Sequence, residues 1–516
     1  MNEWSSGYVS DIPYTAVYYH DQSPANLNFI CLLNGFLPRR LDEGFHYLEL
    51  GCGCGLTTNL LAAANPLGKF YAVDFQPSHI AEAMDLAAAA RLENVTFYEQ
   101  SFGAFLERTL TELPSFDFIT LHGVYSWISP RDRQRIVAII DRGLKPGGIV
   151  YISYNSLPGW STGQPIQRLL YELGQLVSGR SDERFEKALS LLEDIRNEKS
   201  PILSRDELFD RICDIRDSGR LRYLTHEYMT GNWHPLYHAD VARDLSAAKL
   251  TFIGSSNALD NFPDLNFTES RQTLLSNIGN PELKETIKDY LVPRLLRKDV
   301  FVRGPRRLST DRQEALLNSM GLALIVPSRQ TTLDLKVPIG KVTVSESIYT
   351  PVLEFLAERP RSLAELLTAS GPHAKPGEKA AEIAGILIGT WQAAPIVSFD
   401  GHIAKGSVKR FNSAMADQAL IEDVGRLLPL ASPIIGSGIQ ASGLEIQVFQ
   451  AVLNGSPIRS QPLSEHIWQS LAARGERLSV NGTPLETEEE NIALLLKTIE
   501  TVIDQKLPVW QNLGIL

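Results

Sequence analysis

The sequence is poor in cysteine, has no excess of basic residues and lacks a long apolar run. Four cysteines, at 31, 52, 54 and 213, stand among 516 residues, too few and too unevenly spaced for a disulfide framework. Cys52 and Cys54 lie inside a glycine loop with no second pair or histidine at ligand spacing, so no zinc site is expected. A reducing compartment follows, and the expected localisation is cytoplasmic. Lys and Arg number 49 against 60 Asp and Glu, a formal charge of −11. A general nucleic-acid binder has a basic footprint, so no nucleic-acid partner is expected. The same charge steers a lysine-bearing surface toward the chain. The opening MNEWSSGYVSDIPY has neither a basic segment nor an apolar one, so no signal peptide is expected. The longest uncharged runs, Ile383–Phe399 and Leu427–Leu444, are broken by Gln and Pro and suit no membrane span. With 44% hydrophobic and 21% charged residues, disorder and collagen-like structure are excluded, and the length sets a prior of about three domains.

Residues 1–45 are rich in tyrosine and read as a helical lead-in, with Ser23-Pro24 opening an apolar-periodic stretch. From 46 to about 155, five β-branched or aromatic runs alternate with helical stretches: HYLEL (46–50), KFYAVD (69–74), VTFYEQ (95–100), FDFITL (116–121) and GIVYISY (148–154). Strands alternating with helices predict an α/β fold, a Rossmann-like doubly wound parallel sheet, over residues 1–160. From 161 to 312 the strand signal almost vanishes and a mainly helical middle domain is expected. It includes a predicted helix Glu282–Leu296 and ends in a basic island from Arg294 to Arg312, which reads as a solvated interdomain surface or a dock for an acidic partner. The last domain, 313–516, shows three helical stretches followed by PIVSFDGHIAKGS (395–407), hairpin-like with Asp-Gly at its turn. Three helices and a hairpin resemble a winged helix, and the end is helical.

The strongest local signal is HYLELGCGCGLTTNLL, residues 46–61. An apolar strand runs into Glu49-Leu50-Gly51-Cys52-Gly53-Cys54-Gly55, and a helix follows. Alternate glycines let backbone N–H groups approach a ligand. The glycines at 51, 53 and 55 do not match the dinucleotide fingerprint, and no Lys-Ser or Lys-Thr closes a P-loop. The G-x-G-x-G spacing, with an acid two residues before it, resembles the first motif of class I S-adenosylmethionine methyltransferases. Asp74 ends the next strand 19 residues past Gly55, where a carboxylate can accept both ribose hydroxyls. Gln100 and Ser101 end the third strand, where class I enzymes meet the adenine. Leu144-Lys145-Pro146-Gly147-Gly148 is a further hallmark of that class.

In open α/β sheets the ligand lies outside the carboxyl ends of the strands. There the fourth strand offers HGVYSW (122–127) and the fifth YNSLPGW (154–160). His122 is the one obvious base, or equally a residue that touches the cofactor. Tyr125, Tyr154 and Asn155 complete the candidate catalytic set, either against an amine or as packing under a lid. His226, Glu227, His234 and His238 invite a metal reading, but Pro235 breaks the one i, i+4 pair; a loop network between domains is expected and no metal.

Together these residues resemble a bacterial family that joins a class I methyltransferase domain to a methyltransferase regulatory domain and includes rickettsial protein-lysine methyltransferases. The resemblance rests on Tyr18-Tyr19 with Ser23-Pro24, HGVYSW, YNSLPGW, the LTHEYMTGNWHPLYHADVARDLSAAKLTFIG stretch (224–254), RKDVFVRG (297–304) and the terminal LPVWQNLGIL. It implies S-adenosyl-L-methionine held by Glu49, Gly51, Cys52, Gly53, Asp74, Phe75, Gln100, Ser101 and Phe102, with Tyr18, Tyr19 and His122 closing over it. It also implies N-methylation of protein lysines, with the later domains holding the protein substrate or pairing two copies as a homodimer. Gln22-Ser23-Pro24 stands where the rickettsial enzymes carry Thr-His-Pro, which leaves the substrate lysine open. Methylation of a small amine, hydroxyl or carboxylate and non-catalytic cofactor sensing are the alternative functions.

Overall fold

The chain's fold is given by a computed structural model, which describes residues 7–12, 14, 16–203, 207–369, 376–419, 427–480 and 483–516. The five expected strands form: β1 (Phe45–Leu50), β2 (Gly68–Asp74), β3 (Val95–Glu99), β4 (Phe116–Leu121) and β5 (Leu144–Asn155). All six residues of β4 and five of six in β1 are buried, as a parallel sheet covered on both faces requires. Helices α1 (Pro24–Leu33), α2 (Leu56–Ala64) and α3 (Pro77–Ala89) flank it, the first capped by Ser23, whose Oγ accepts from Asn26 N at 3.1 Å.

The expectation of an almost strand-free middle is corrected by two further strands, β6 (Leu250–Ser255) and β7 (Leu296–Arg303). They extend the same sheet to seven strands in the order β3-β2-β1-β4-β5-β7-β6, with β7 antiparallel to both neighbours. The sheet therefore crosses the boundary expected at residue 160. The predicted helix Glu282–Leu296 stops at Leu291, just ahead of Pro293. Arg297, Lys298 and Arg303 of the basic island lie on β7, disguised in the sequence because charged residues occupy buried positions of the strand. Arg297 is 4% exposed. Its Nη1 donates to Asp289 Oδ1 and Oδ2 at 2.9 and 2.8 Å, its Nε to Asp299 Oδ1 at 3.0 Å, and its Nη2 to Glu285 Oε2 at 3.3 Å. Beside it, Lys298 Nζ donates to the buried Asp21 at 2.6 Å. The part of the island around Arg297 is thus a buried ionic stitch, whereas Arg306, Arg307 and Arg312 are exposed, as expected of a solvated surface.

Helices Gly163–Gln175, Ser181–Asn197, Glu207–Asp217 and Leu221–Tyr228 pack around their own apolar cluster. Val9 and Ile12 of the lead-in join that cluster, and Gly231 N donates to Gly7 O at 3.1 Å. The N-terminal segment is thereby held against this helical layer.

In the last third, helices Glu346–Glu358, Leu363–Ala369 and Pro376–Gly389 pack with a small sheet of Gly321–Leu324, Arg361–Ser362 and Ala393–Pro395. The hairpin expected at 395–407 does not form. Asp400 Oδ1 instead accepts from Ser398 Oγ at 2.9 Å and His402 N at 3.1 Å, an Asx-type turn that opens the helix Lys405–Ala419. The winged-helix likeness therefore lacks its wing. The uncharged run 427–444 supplies a hairpin, Leu427–Ser432 with Ser437–Ser442, that lies on α2. Asn65 Nδ2 donates to Gly436 O at 2.7 Å, and the apolar core of the last third is continuous with that of α1 and α2. Among the described residues no helix is long and apolar enough to cross a membrane.

Arg297→Met leaves three carboxylates facing an apolar side chain, and the loss in stability read from a urea midpoint is expected to be about 3–5 kcal/mol.

Candidate active site

β1 and β4 are neighbours whose helical connections leave toward opposite sides, so a crevice opens past their carboxyl ends. The glycine loop enters it from β1. Gly51, Gly53 and Gly55 have φ of +74°, +52° and +66°, the left-handed region. A Cβ on Gly51 would lie 2.5 Å from Val124 Cγ2 and one on Gly55 2.5 Å from Ala83 Cβ, whereas one on Gly53 meets nothing within 4 Å. The outer glycines permit packing, and Gly53 faces open space.

Asp74 is pinned at the end of β2. Gly53 N donates to its Oδ2 at 2.9 Å, Gln76 N to its Oδ1 at 3.0 Å, and Gln100 N to its backbone oxygen at 2.9 Å. Each carboxylate oxygen keeps acceptor capacity, as a vicinal diol requires. Gln100 Oε1 accepts from Thr109 Oγ1 at 2.9 Å, which leaves its amide nitrogen for a ligand. Ser101 caps the short turn Phe102–Ala104, with Ala104 N donating to its Oγ at 3.3 Å, and Phe102 packs half-buried behind it. Glu49 lies beneath the loop, accepting from Gln22 Nε2 at 3.1 Å and from Thr58 Oγ1. Burial pushes its carboxyl up to about 7. It joins the lead-in, β1 and α2. Cys52 and Cys54 are free thiols, and burial pushes the Cys52 thiol up.

The adjacent tyrosines diverge. Tyr19 N donates to Thr57 Oγ1 at 3.1 Å and its ring stacks on His122 at 3.7 Å. The Tyr18 hydroxyl instead accepts from Gly438 N at 2.9 Å, tying the lead-in to the C-terminal hairpin. Tyr18 therefore does not close over the crevice. His122 Nδ1 is 2.7 Å from the Tyr151 hydroxyl, and burial pushes the imidazole down to about 3. Its ring stays neutral at any physiological pH, which fits a wall of the site and not a general base.

Strand alternation separates the remaining catalytic candidates. Tyr151, Ser153 and Asn155 share one face of β5; Ser153 Oγ accepts from Gly123 N at 2.7 Å, while Asn155 is held through its backbone to Ser126 Oγ and Leu236 N. Tyr154 points to the other face, where its hydroxyl donates to Asp299 at 2.7 Å. The Tyr125 hydroxyl donates to Asp244 at 3.1 Å in that second core. Neither tyrosine reaches the crevice.

The structure adds residues that the sequence reading did not assign. Tyr8 packs edge-on to Phe75 at 5.7 Å and also contacts the His226 ring at 5.7 Å. Tyr14 meets His226 at 5.0 Å. Glu227, on the helix Leu221–Tyr228, raises the proton affinity of Tyr8, Tyr14, Tyr19 and Tyr223 by its charge, and Asp74 and Cys54 also act on Tyr8. Tyr8 thus bridges Phe75, next to Asp74, and His226 on the helix that carries Glu227. The tyrosine-rich lead-in and the HEYM segment carried this signal, but only folding joins them. The histidines once considered for a metal go elsewhere: His226 to the tyrosines, His238 to Asp299 at 2.9 Å, and His234 N to Ser126 O at 2.8 Å.

Residues 41–200 match the family model described as "Methyltransferase domain", and residues 220–303 that described as "Predicted methyltransferase regulatory domain". The uncharacterized protein sll1526 of Synechocystis sp. is 36% identical over 99% of both chains. The chain belongs to the class I methyltransferases that carry a methyltransferase regulatory domain. The fold of PKMT2 from Rickettsia typhi matches 96% of this chain and 99% of that one, with a TM-score of 0.68 at 18% identity. A structure of that protein in complex with AdoHcy matches 97% of this chain and 100% of that one, at the same score and identity. The methyltransferase's cofactor is S-adenosylmethionine, and the open space at Gly53, the two Asp74 oxygens and the Gln100 amide fit its nucleoside. The regulatory domain supplies β6, β7 and the helix that carries Glu227.

Asp74→Ala is expected to weaken S-adenosylmethionine binding by about 1–3 kcal/mol in calorimetry, from lost charged hydrogen bonds. Because the His122 imidazole stays neutral between pH 5 and 9, His122→Phe is expected to leave the shape of the pH–rate profile over that range unchanged. Loss of a limb would identify it as a base after all.

Proposed function

We propose that this methyltransferase N-methylates lysine side chains of protein substrates. The observation that carries the reading is the aromatic cluster beside the glycine loop: Tyr8 on Phe75 and His226, Tyr14 on His226, and Tyr19 on His122. Tyr8, Tyr14 and Tyr19 each retain some solvent exposure. Aromatic walls with an open mouth suit a thin alkyl chain with a cationic head, projecting from a protein surface. The net charge of −11 favours such a partner, and the resemblance of HGVYSW and HEYM to rickettsial protein-lysine methyltransferases supports the same substrate. The four free cysteines accord with work in a reducing cytoplasm.

Bound S-adenosylmethionine supplies an electrophilic methyl group on a sulfonium. Methyl transfer is an in-line displacement, so alignment carries much of the acceleration. Asp74 and the Gly53 backbone fix the nucleoside end. The Tyr19–His122 stack walls the crevice, and a neutral imidazole places no like charge beside the sulfonium.

Incubation with methyl-labelled S-adenosylmethionine and a bacterial lysate is expected to leave label in N-methyl-lysine after hydrolysis of the protein fraction. Label confined to small molecules would overturn the protein-lysine reading.

A further inference from the structure

We infer that Glu227 is the acceptor-amine site of this enzyme: its carboxylate anchors the substrate ammonium within the tyrosine recess and then takes its proton. The inference rests on the amine-methylation reading above and names the residue that carries it.

Other buried carboxylates of this part of the fold have partners. Asp21 pairs with Lys298 at 2.6 Å, Asp299 with Arg297 at 3.0 Å, and Glu49 accepts from Gln22 and Thr58. Glu227 is half-buried, yet among the described residues it accepts no hydrogen bond and closes no ion pair. Arg211, on the helix Glu207–Asp217, lowers its proton affinity without forming an ion pair with it. A desolvated carboxylate without a partner is costly. Here the cost is met on a helix whose His226, the neighbouring residue, packs on Tyr8 and Tyr14, while Tyr8 in turn packs on Phe75 next to Asp74, which is where a cationic ligand would complete it.

The other candidate bases fit less well. Burial pushes the His122 imidazole down to about 3, and the hydroxyls of Tyr125 and Tyr154 point to Asp244 and Asp299. An ammonium has no lone pair and must lose a proton before its nitrogen can attack. In the recess, desolvation lowers the proton affinity of the amine, while burial pushes the Glu227 carboxyl up to about 7, so the two approach each other. The proton passes from nitrogen to a Glu227 oxygen. The free lone pair then forms the C–N bond as the C–S bond breaks, its electron pair remaining on sulfur. The product is an N-methylammonium, and the Glu227 proton leaves to solvent through the open mouth.

Ionised Glu227 is required, so kcat/KM for the amine should rise as pH increases through about 7. The groups facing it are Arg211 and Tyr223 from the helical layer and Tyr8, Tyr14 and Tyr19 from the lead-in. None of these tyrosines ionises in that range, because each is raised above its ordinary value.

The test compares the full chain with Glu227→Gln, both saturated with S-adenosylhomocysteine, titrated with n-butylamine at pH 8 and followed by NMR line broadening. The variant is expected to bind n-butylamine at least about tenfold more weakly, to keep its S-adenosylmethionine affinity within about twofold, and to lose the rising limb near pH 7. Equal n-butylamine binding in the two proteins, or none in the wild type, overturns the inference and leaves the lysine labelling result to stand by itself. Binding lost in the variant, together with label only in small amines, supports Glu227 as the amine site and overturns the protein substrate instead.

Discussion

A guanidinium buried among carboxylates holds the catalytic sheet and the regulatory domain together. Arg297 lies on β7, Asp289 and Glu285 on the helix Pro281–Leu291, and Asp299 hands the contact on to Tyr154 of β5 and His238. Such a group is tolerable only when its neighbours are all present, because one missing partner leaves an uncompensated charge in a low dielectric. Backbone pairing of β7 with β5 makes the regulatory segment part of the methyltransferase sheet, and the stitch holds the helix Pro281–Leu291 against that strand. The same segment brings His226, on the helix Leu221–Tyr228, against Tyr8 and Tyr14 of the lead-in.

The lead-in is the second organising element. It passes between layers that the chain order keeps far apart: Val9 and Ile12 enter the helical cluster, Tyr19 stacks on His122, and Tyr18 binds the C-terminal hairpin. Gln22 reaches Glu49 under the glycine loop. One short segment thus touches the cofactor crevice, the regulatory domain and the last third. This gives the C-terminal part a physical route to the site without contributing a side chain to the recess.

The cofactor half of the site was legible because its determinants are local. A strand, a glycine loop and an acid one strand later occupy fixed offsets, and parallel pairing of β1 with β2 brings Gly53 N within 2.9 Å of Asp74. The acceptor half was not. Tyr8 and Glu227 stand 219 positions apart in the sequence, and neither has a local pattern that marks it. β7 was hidden by charges whose pairing exists only in the folded chain, and the Asp-Gly at 400–401 makes an Asx-type turn into a helix because Asp400 Oδ1 accepts from His402 N.

By itself the sequence determined the first five strands of the sheet, the glycine loop and the placing of Asp74 at the end of β2, since short-range stereochemistry and hydrophobic period dictate them. Tertiary structure alone decided which aromatic groups face the crevice, that His122 is a neutral wall, that Tyr125 and Tyr154 turn away, and that Glu227 accepts no hydrogen bond among the described residues. Proton affinity and access are set by burial and by neighbours from other parts of the chain, and those neighbours exist only once the layers have packed.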